Sequence, residues 1–164
     1  MSLSKPPALT HLDERQQARM VGVAEKAETH RGARARSEIA LSPEAFVAVR
    51  DASGPKGDAV QVARLAAIAG VKKTADLIPL CHPLRIAKVE VEVQLLPAEN
   101  RIVFEVLVEA FDRTGVEMEA LTGASIAALA LYDMIKAVDR AAVIGPVRLL
   151  EKWGGRSGHS RLPV

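Results

Sequence analysis

Asp133 and Lys136 stand three residues apart in "YDMIKAVDR", within the most apolar run of the chain. An aspartate and a lysine at that spacing share one helix face. Partial burial raises a carboxyl pKa and lowers an ammonium pKa, while their mutual attraction does the reverse. Pairs tuned in this way can exchange protons near neutral pH. An ordinary ion pair on a solvated face has the same spacing and contributes only about 0.2–0.5 kcal/mol. Spacing alone leaves both readings open.

The other concentration of reactive residue types is "DLIPLCHPL" (76–84), where Cys81, the only cysteine, adjoins His82 between Pro79 and Pro83. Neighbours on extended backbone point to opposite sides, so Cys81 and His82 do not form a dyad. One cysteine with His11, His30, His82 and His159 has none of the paired spacings of a zinc site. No metal and no other cofactor is therefore expected. Two readings remain: a proline-stiffened loop offering amides and an imidazole to a ligand, or a buried connection. "KGD" (56–58) sets Lys56 at a helix start, where amides and a cation can receive an anion; an ordinary turn is the simpler reading. "EKWGGRSGH" (151–159) puts Lys152 and Arg156 around a Gly-Gly pair, as a phosphate loop or a loose tail would. Glu117 and Glu119 flank Met118 at a helix N-terminus, where the dipole favours carboxylates.

These groups need elements to hold them. "ARARSEIAL" (33–41) alternates as a half-buried strand does, and Ser42-Pro43 opens a short helix. A turn-rich loop (51–58) follows, and a helix begins at Asp58, an N-cap residue, with Val60, Ala63, Leu65, Ala67 and Ile68 at helical spacings. Pro79 and Pro83 prevent that helix from continuing. Residues 85–95 and 101–111 are the clearest strands, with β-branched residues recurring at period two, and "LPAEN" joins them as a hairpin. A long helix is expected over about 117–138, then a strand, "VIGPVRLLE", in which Pro146 indicates an edge or a bulge. The long helix is apolar around most of its circumference, so one side should meet the sheet and the other a second subunit. The order strand, helix, strand, strand, helix, strand is a ferredoxin-like split β-α-β arrangement. Two helices pack on one face of a mainly antiparallel sheet, with an N-terminal strand extension. The fold class is α+β.

Composition narrows the function classes. Aromatic residues are 3% of the chain, so the core is built from Ala, Val, Leu and Ile. A formal charge of +2 suits an anionic small molecule better than a long nucleic-acid track. The single cysteine points to the reducing cytoplasm, and no run reaches the ~20 apolar residues of a membrane span. Residues 1–18 read as a loosely ordered polar arm, 19–158 as a single catalytic domain and 159–164 as a tail.

Taken in order, five stretches resemble one family: "LTHLDERQQARMV" (9–21), "EKAETHRGARA" (25–35), "KGDAVQVARLAAIAGVKKTADLIPLCHPL" (56–84), "TGVEMEALTGASIAALALYDMIKAVDR" (114–140) and "VIGPVRLLEKWGGRSG" (143–158). The family is molybdenum-cofactor biosynthesis protein C, the cyclic pyranopterin monophosphate synthases. The resemblance implies conversion of 3',8-cyclo-7,8-dihydroguanosine 5'-triphosphate to cyclic pyranopterin monophosphate and pyrophosphate, a lyase reaction. It implies Asp133 and Lys136 as catalytic residues, and Leu80, Cys81, His82, Met118 and Glu119, with Glu117 beside them, as substrate contacts. Lys56, Lys152 and Arg31 match positions lining an anionic-substrate pocket. It further implies a homohexamer, a trimer of dimers, with sites at subunit interfaces. Gly22 and Ala24 depart from the family, standing where relatives carry Asp and Ser, as do Ile135 for a frequent cysteine and Arg156 for a frequent lysine. A rival class is a ferredoxin-like RNA- or nucleotide-binding module, for which the strands supply only Phe104 and Phe111. A synthase homologue without activity is a third reading.

Overall fold

A computed structural model of the chain describes residues 13, 15–156 and 158–163. Most of the arm expected at 1–18 lies outside these residues. The elements are β1 (Thr29–Ala40), α1 (Pro43–Arg50), α2 (Ala59–Lys72), α3 (Thr74–Leu77), β2 (Ile86–Leu96), β3 (Arg101–Asp112), α4 (Glu117–Ile135), β4 (Val143–Trp153) and β5 (Ser160–Arg161). The strands form one antiparallel sheet in the order β2-β3-β1-β4-β5. Its first four members have the ferredoxin-like order, so the fold is the α+β one read from the sequence.

Local chemistry sets the boundaries. Ser42 Oγ accepts the Ala45 amide at 3.2 Å, and Asp58 Oδ1 accepts the Gln61 amide at 3.0 Å, so both helices start at their capping residues. The β2–β3 hairpin turns through Pro97–Glu99, with Asn100 in the left-handed region at φ 48°. The β1–β4 register shifts between Ser37 and Ile39, opposite Gly145-Pro146, which is the bulge that Pro146 indicates. β1 begins at Thr29, earlier than the alternation suggests. Gly32 interrupts the pattern because the Trp153 ring lies where its Cβ would be, Cζ2 being 2.0 Å away.

Ala33, Ala35, Ser37 and Ile39 of β1 and Ile102, Phe104, Val106 and Val108 of β3 are buried beneath α4. Small residues on that helix, Ala120, Ala124, Ala127 and Ala128, bring it close, and Ser37 Oγ donates to the Ala124 carbonyl at 2.6 Å. α2 meets another side of α4 at two glycines. A Cβ on Gly70 would stand 2.9 Å from Ile126 Cγ1, and one on Gly123 would stand 2.7 Å from Val71 Cγ2. Much of the second apolar side that the sequence assigns to another subunit is thus covered by α2, and Leu129 remains 52% exposed. Among the described residues α4 is the one helix long and apolar enough to cross a membrane, yet its buried side belongs to this core.

The long helix ends at Ile135, before the expected Val138. Asp139 turns the chain: its Oδ2 accepts the Ser42 amide at 2.7 Å and its Oδ1 the Ala141 amide at 2.9 Å. Asp76, expected in an extended loop, instead lies in the short helix α3, and the loop proper starts at Ile78 ahead of Pro79.

Candidate functional site

Beyond α3 the chain turns, with the Cys81 amide donating to the Ile78 carbonyl at 3.0 Å. The loop runs past the N-terminus of α4. There Leu80, Cys81, His82, Glu117 and Met118 line a cavity of about 650 Å³, which Val21, Val23 and Lys26 complete from the segment before β1. That segment is held by the Arg113 guanidinium, which donates to the Ala24 carbonyl at 3.1 Å, and by a 3.0 Å ion pair between Arg85 and Glu28.

Lys26 and Thr114 also line an adjoining cavity of about 410 Å³ with Arg31, Arg113 and Arg156. Its charged lining is wholly basic, as a polyphosphate requires. Arg31 is fixed by donating Nε–H to the Asp112 carbonyl at 2.9 Å. The Gly154-Gly155 turn packs on β1 so tightly that a Cβ on Gly154 would stand 2.2 Å from the His30 carbonyl; its φ of +90° also requires glycine. That turn places Arg156 at the cavity. Lys152, just before it on β4, pairs with Glu117 at 2.9 Å.

The two N-terminal carboxylates of α4 do more than cap it. Val116, the N-cap, makes no side-chain capping bond. Glu117 lines the main cavity, whereas Glu119 is 2% exposed and lies behind the loop, where its Oε1 accepts from the Cys81 thiol at 3.6 Å. Burial pushes the Glu119 carboxyl up. Burial, then Glu119, pushes the Cys81 thiol up to about 11, so at neutral pH it is a donor and not a nucleophile.

Asp133 and Lys136 lie at the other end of α4. Lys136 Nζ is 2.8 Å from Asp133 Oδ1, and Lys56 reaches across from the 51–58 loop to Asp133 Oδ2 at 2.7 Å and to its carbonyl at 2.9 Å. The hydrogen bonds from Lys136 and then Lys56 hold the Asp133 carboxyl down at about 2, and Asp133 raises the Lys136 ammonium in turn. Side chains of both are about half exposed, at 56% and 51%. Burial therefore does not tune this pair toward neutrality. In the chain alone it is a carboxylate clamped by two ammonium groups.

The expected site residues thus fall into two groups. Leu80, Cys81, His82, Glu117 and Met118 line the main cavity, with Glu119 behind them and Lys152 and Arg31 alongside. Lys56, Asp133 and Lys136 form a separate cluster. Glu117 and Asp133 are separated by 16 residues of α4, ~24 Å at 1.5 Å per residue. Sequence reasoning missed Lys26, Arg113 and Thr114 as lining residues: they sit in irregular segments without periodicity. Phe104 is fully buried, which leaves Phe111 as the only aromatic of the RNA-platform reading that could stack on a base.

Residues 20–155 match the MoaC family. A cyclic pyranopterin monophosphate synthase of Thermomicrobium roseum is 57% identical over 150 residues, 92% of this chain and 90% of that protein. Another, from Pelotomaculum thermopropionicum, is 52% identical over 92% of this chain and 88% of its own length. Among solved structures, the ferredoxin protease FusC in complex with Arabidopsis ferredoxin covers 64% of this chain and 10% of its own at 22% identity, with a TM-score of 0.34, too distant to bear on fold or function. With its family match spanning both the cavity loop and the Asp133 cluster, the chain belongs to the MoaC family.

Proposed function

We propose that the protein is a cyclic pyranopterin monophosphate synthase, converting 3',8-cyclo-7,8-dihydroguanosine 5'-triphosphate to cyclic pyranopterin monophosphate and pyrophosphate. The observation that carries this reading is the identity of 52–57% to synthases across nine-tenths of the chain. The geometry supports it: a cavity of about 650 Å³ for the tricyclic part opens beside a basic cavity suited to the triphosphate. Closing the cyclic phosphate forms a P–O bond to a sugar hydroxyl and breaks the bond to pyrophosphate, a lyase step. Arg31, Lys152, His82 and Lys56 offset the charge on the phosphates and the departing pyrophosphate.

The catalytic pair is Asp133 and Lys136, with Asp133 orienting Lys136 and Lys56. No one substrate touches both ends of α4 in a single chain, so each site takes its lysine cluster from one subunit and its cavity from another. The exposed Leu129 face of α4 is available to such a neighbour. The assembly is a homohexamer in the cytoplasm. Incubating the purified protein with the cyclic nucleotide should release pyrophosphate. A Lys136→Ala variant with an unchanged circular dichroism spectrum should lose at least ~100-fold in kcat. Near-normal turnover by that folded variant would remove Lys136 from the mechanism.

A further inference from the structure

Glu119 is the least exposed ionisable side chain among the described residues. Its Oε1 accepts from the Cys81 thiol at 3.6 Å, while its Oε2 is buried without a hydrogen-bond partner. Cys81 lines the main cavity. Glu119 itself lines a third cavity of about 280 Å³, with Lys72, Asp76, Pro83 and Leu84. The carboxyl group therefore stands in the partition between two cavities, directly behind the substrate loop.

An ionised carboxylate in that position would leave a buried charged oxygen with no donor, a costly arrangement. A neutral acid removes that buried charge, and the thiol bond then serves Oε1 as the carbonyl acceptor. The surrounding groups agree. Glu117, on the same helix, opposes a second negative charge nearby. Cys81 on the loop keeps its proton and stays a donor. Lys72 of α2 and Asp76 of α3, facing the third cavity, are of opposite sign, and His82 adjoins Cys81 on the loop. Burial raises the Glu119 carboxyl.

We propose that Cys81 is a positioning residue: its thiol, donating to Glu119 Oε1, ties the loop that lines the main cavity to the first turn of α4. This rests on the synthase reading. When Glu119 ionises, its proton passes to solvent and the resulting carboxylate keeps the same thiol bond, now charge-assisted and stronger.

Because Cys81 is the only cysteine, its S–H infrared band reports this one contact. In the wild type that band should shift toward stronger hydrogen bonding as Glu119 ionises with rising pH. Glu119→Gln should keep the band and abolish its shift. Cys81→Ala should raise the Glu119 carboxyl titration further, since a donor favouring the carboxylate is lost. The matching limb of the kcat–pH profile should move with it, and Cys81→Ser should restore both. A pH-independent S–H band in an active wild-type enzyme would overturn the proposal, as would identical carboxyl titration in wild type and Cys81→Ala. Absence of turnover with the S–H shift intact would overturn the synthase reading instead.

Discussion

At Asp133, exposure and charge act in opposite directions, and charge decides. The side chain is more than half exposed, so burial does little, and two ammonium groups within 2.8 Å hold its carboxyl at about 2. Because this folded-state pKa lies below the ordinary value of about 3.9, its contribution to stability is complete above that value. The contribution fades as pH falls toward about 2. It also weakens with salt, since all three partners face solvent. A carbon-13 titration of the Asp133 carboxyl should place its midpoint near 2. Lys136→Ala should move the midpoint up toward the ordinary range, and by more than Lys56→Ala does, because the Lys136 bond is the larger cause. Equal midpoints in wild type and Lys136→Ala would show that the contact is absent in solution. Asp133 and Lys136 were legible in "YDMIKA" because three residues make a helical spacing. Lys56, 77 positions away, has no local signal linking it to them.

Among the elements, the packing of α2 on α4 depends on the absence of side chains. Gly123→Ala gains helix propensity of about 1 kcal/mol. Against that, the new methyl stands 2.7 Å from Val71 Cγ2 and 3.0 Å from Val106 Cγ1, both fully buried and unable to retreat. Overpacking of this kind costs about 1–3 kcal/mol, so a net loss of about 1 kcal/mol is expected in urea unfolding. Gly22→Ala meets nothing within 4 Å and should stay within about 0.5 kcal/mol of wild type. A stabilised Gly123→Ala would show that the helices are further apart than described. Asp139 closes α4 differently, with both carboxyl oxygens taken by amides. Asp139→Ala should cost about 1–3 kcal/mol by leaving the half-buried Ser42 amide unpaired, measured on the same unfolding curves. Alternation revealed β2 and β3, and capping residues revealed α1 and α2, because those signals are local. The early end of α4 was not legible, since the partner that fixes Asp139 lies 97 residues away at Ser42. Nor could apolarity alone show whether α2 or another chain covers α4.

For the molecule as a whole, α4 is a spacer that keeps the cavity loop and the lysine cluster apart. "LCH", "EME" and "YDMIKA" marked the two groups in the sequence, but not the distance between them. Lys26, Arg113 and Thr114 stayed hidden because only the folded chain brings irregular segments to one wall. If a working site takes its cavity from one subunit and its lysines from another, two different inactive chains can complement each other. A Lys136→Ala chain keeps an intact cavity, and a His82→Ala chain keeps an intact lysine cluster. In a two-fold pair containing one of each, one of the two sites joins the intact halves and the other joins both defects. After free subunit exchange at equal amounts, half of the pairs are mixed and one of the two sites in each is intact. Pyrophosphate release from the cyclic nucleotide should then recover to about a quarter of the wild-type rate, although each variant alone is nearly inactive. The same mixture without subunit exchange should stay inactive, which separates complementation from residual activity. No recovery after exchange, verified by mass spectrometry of mixed assemblies, would place both groups of residues on the same chain of each site.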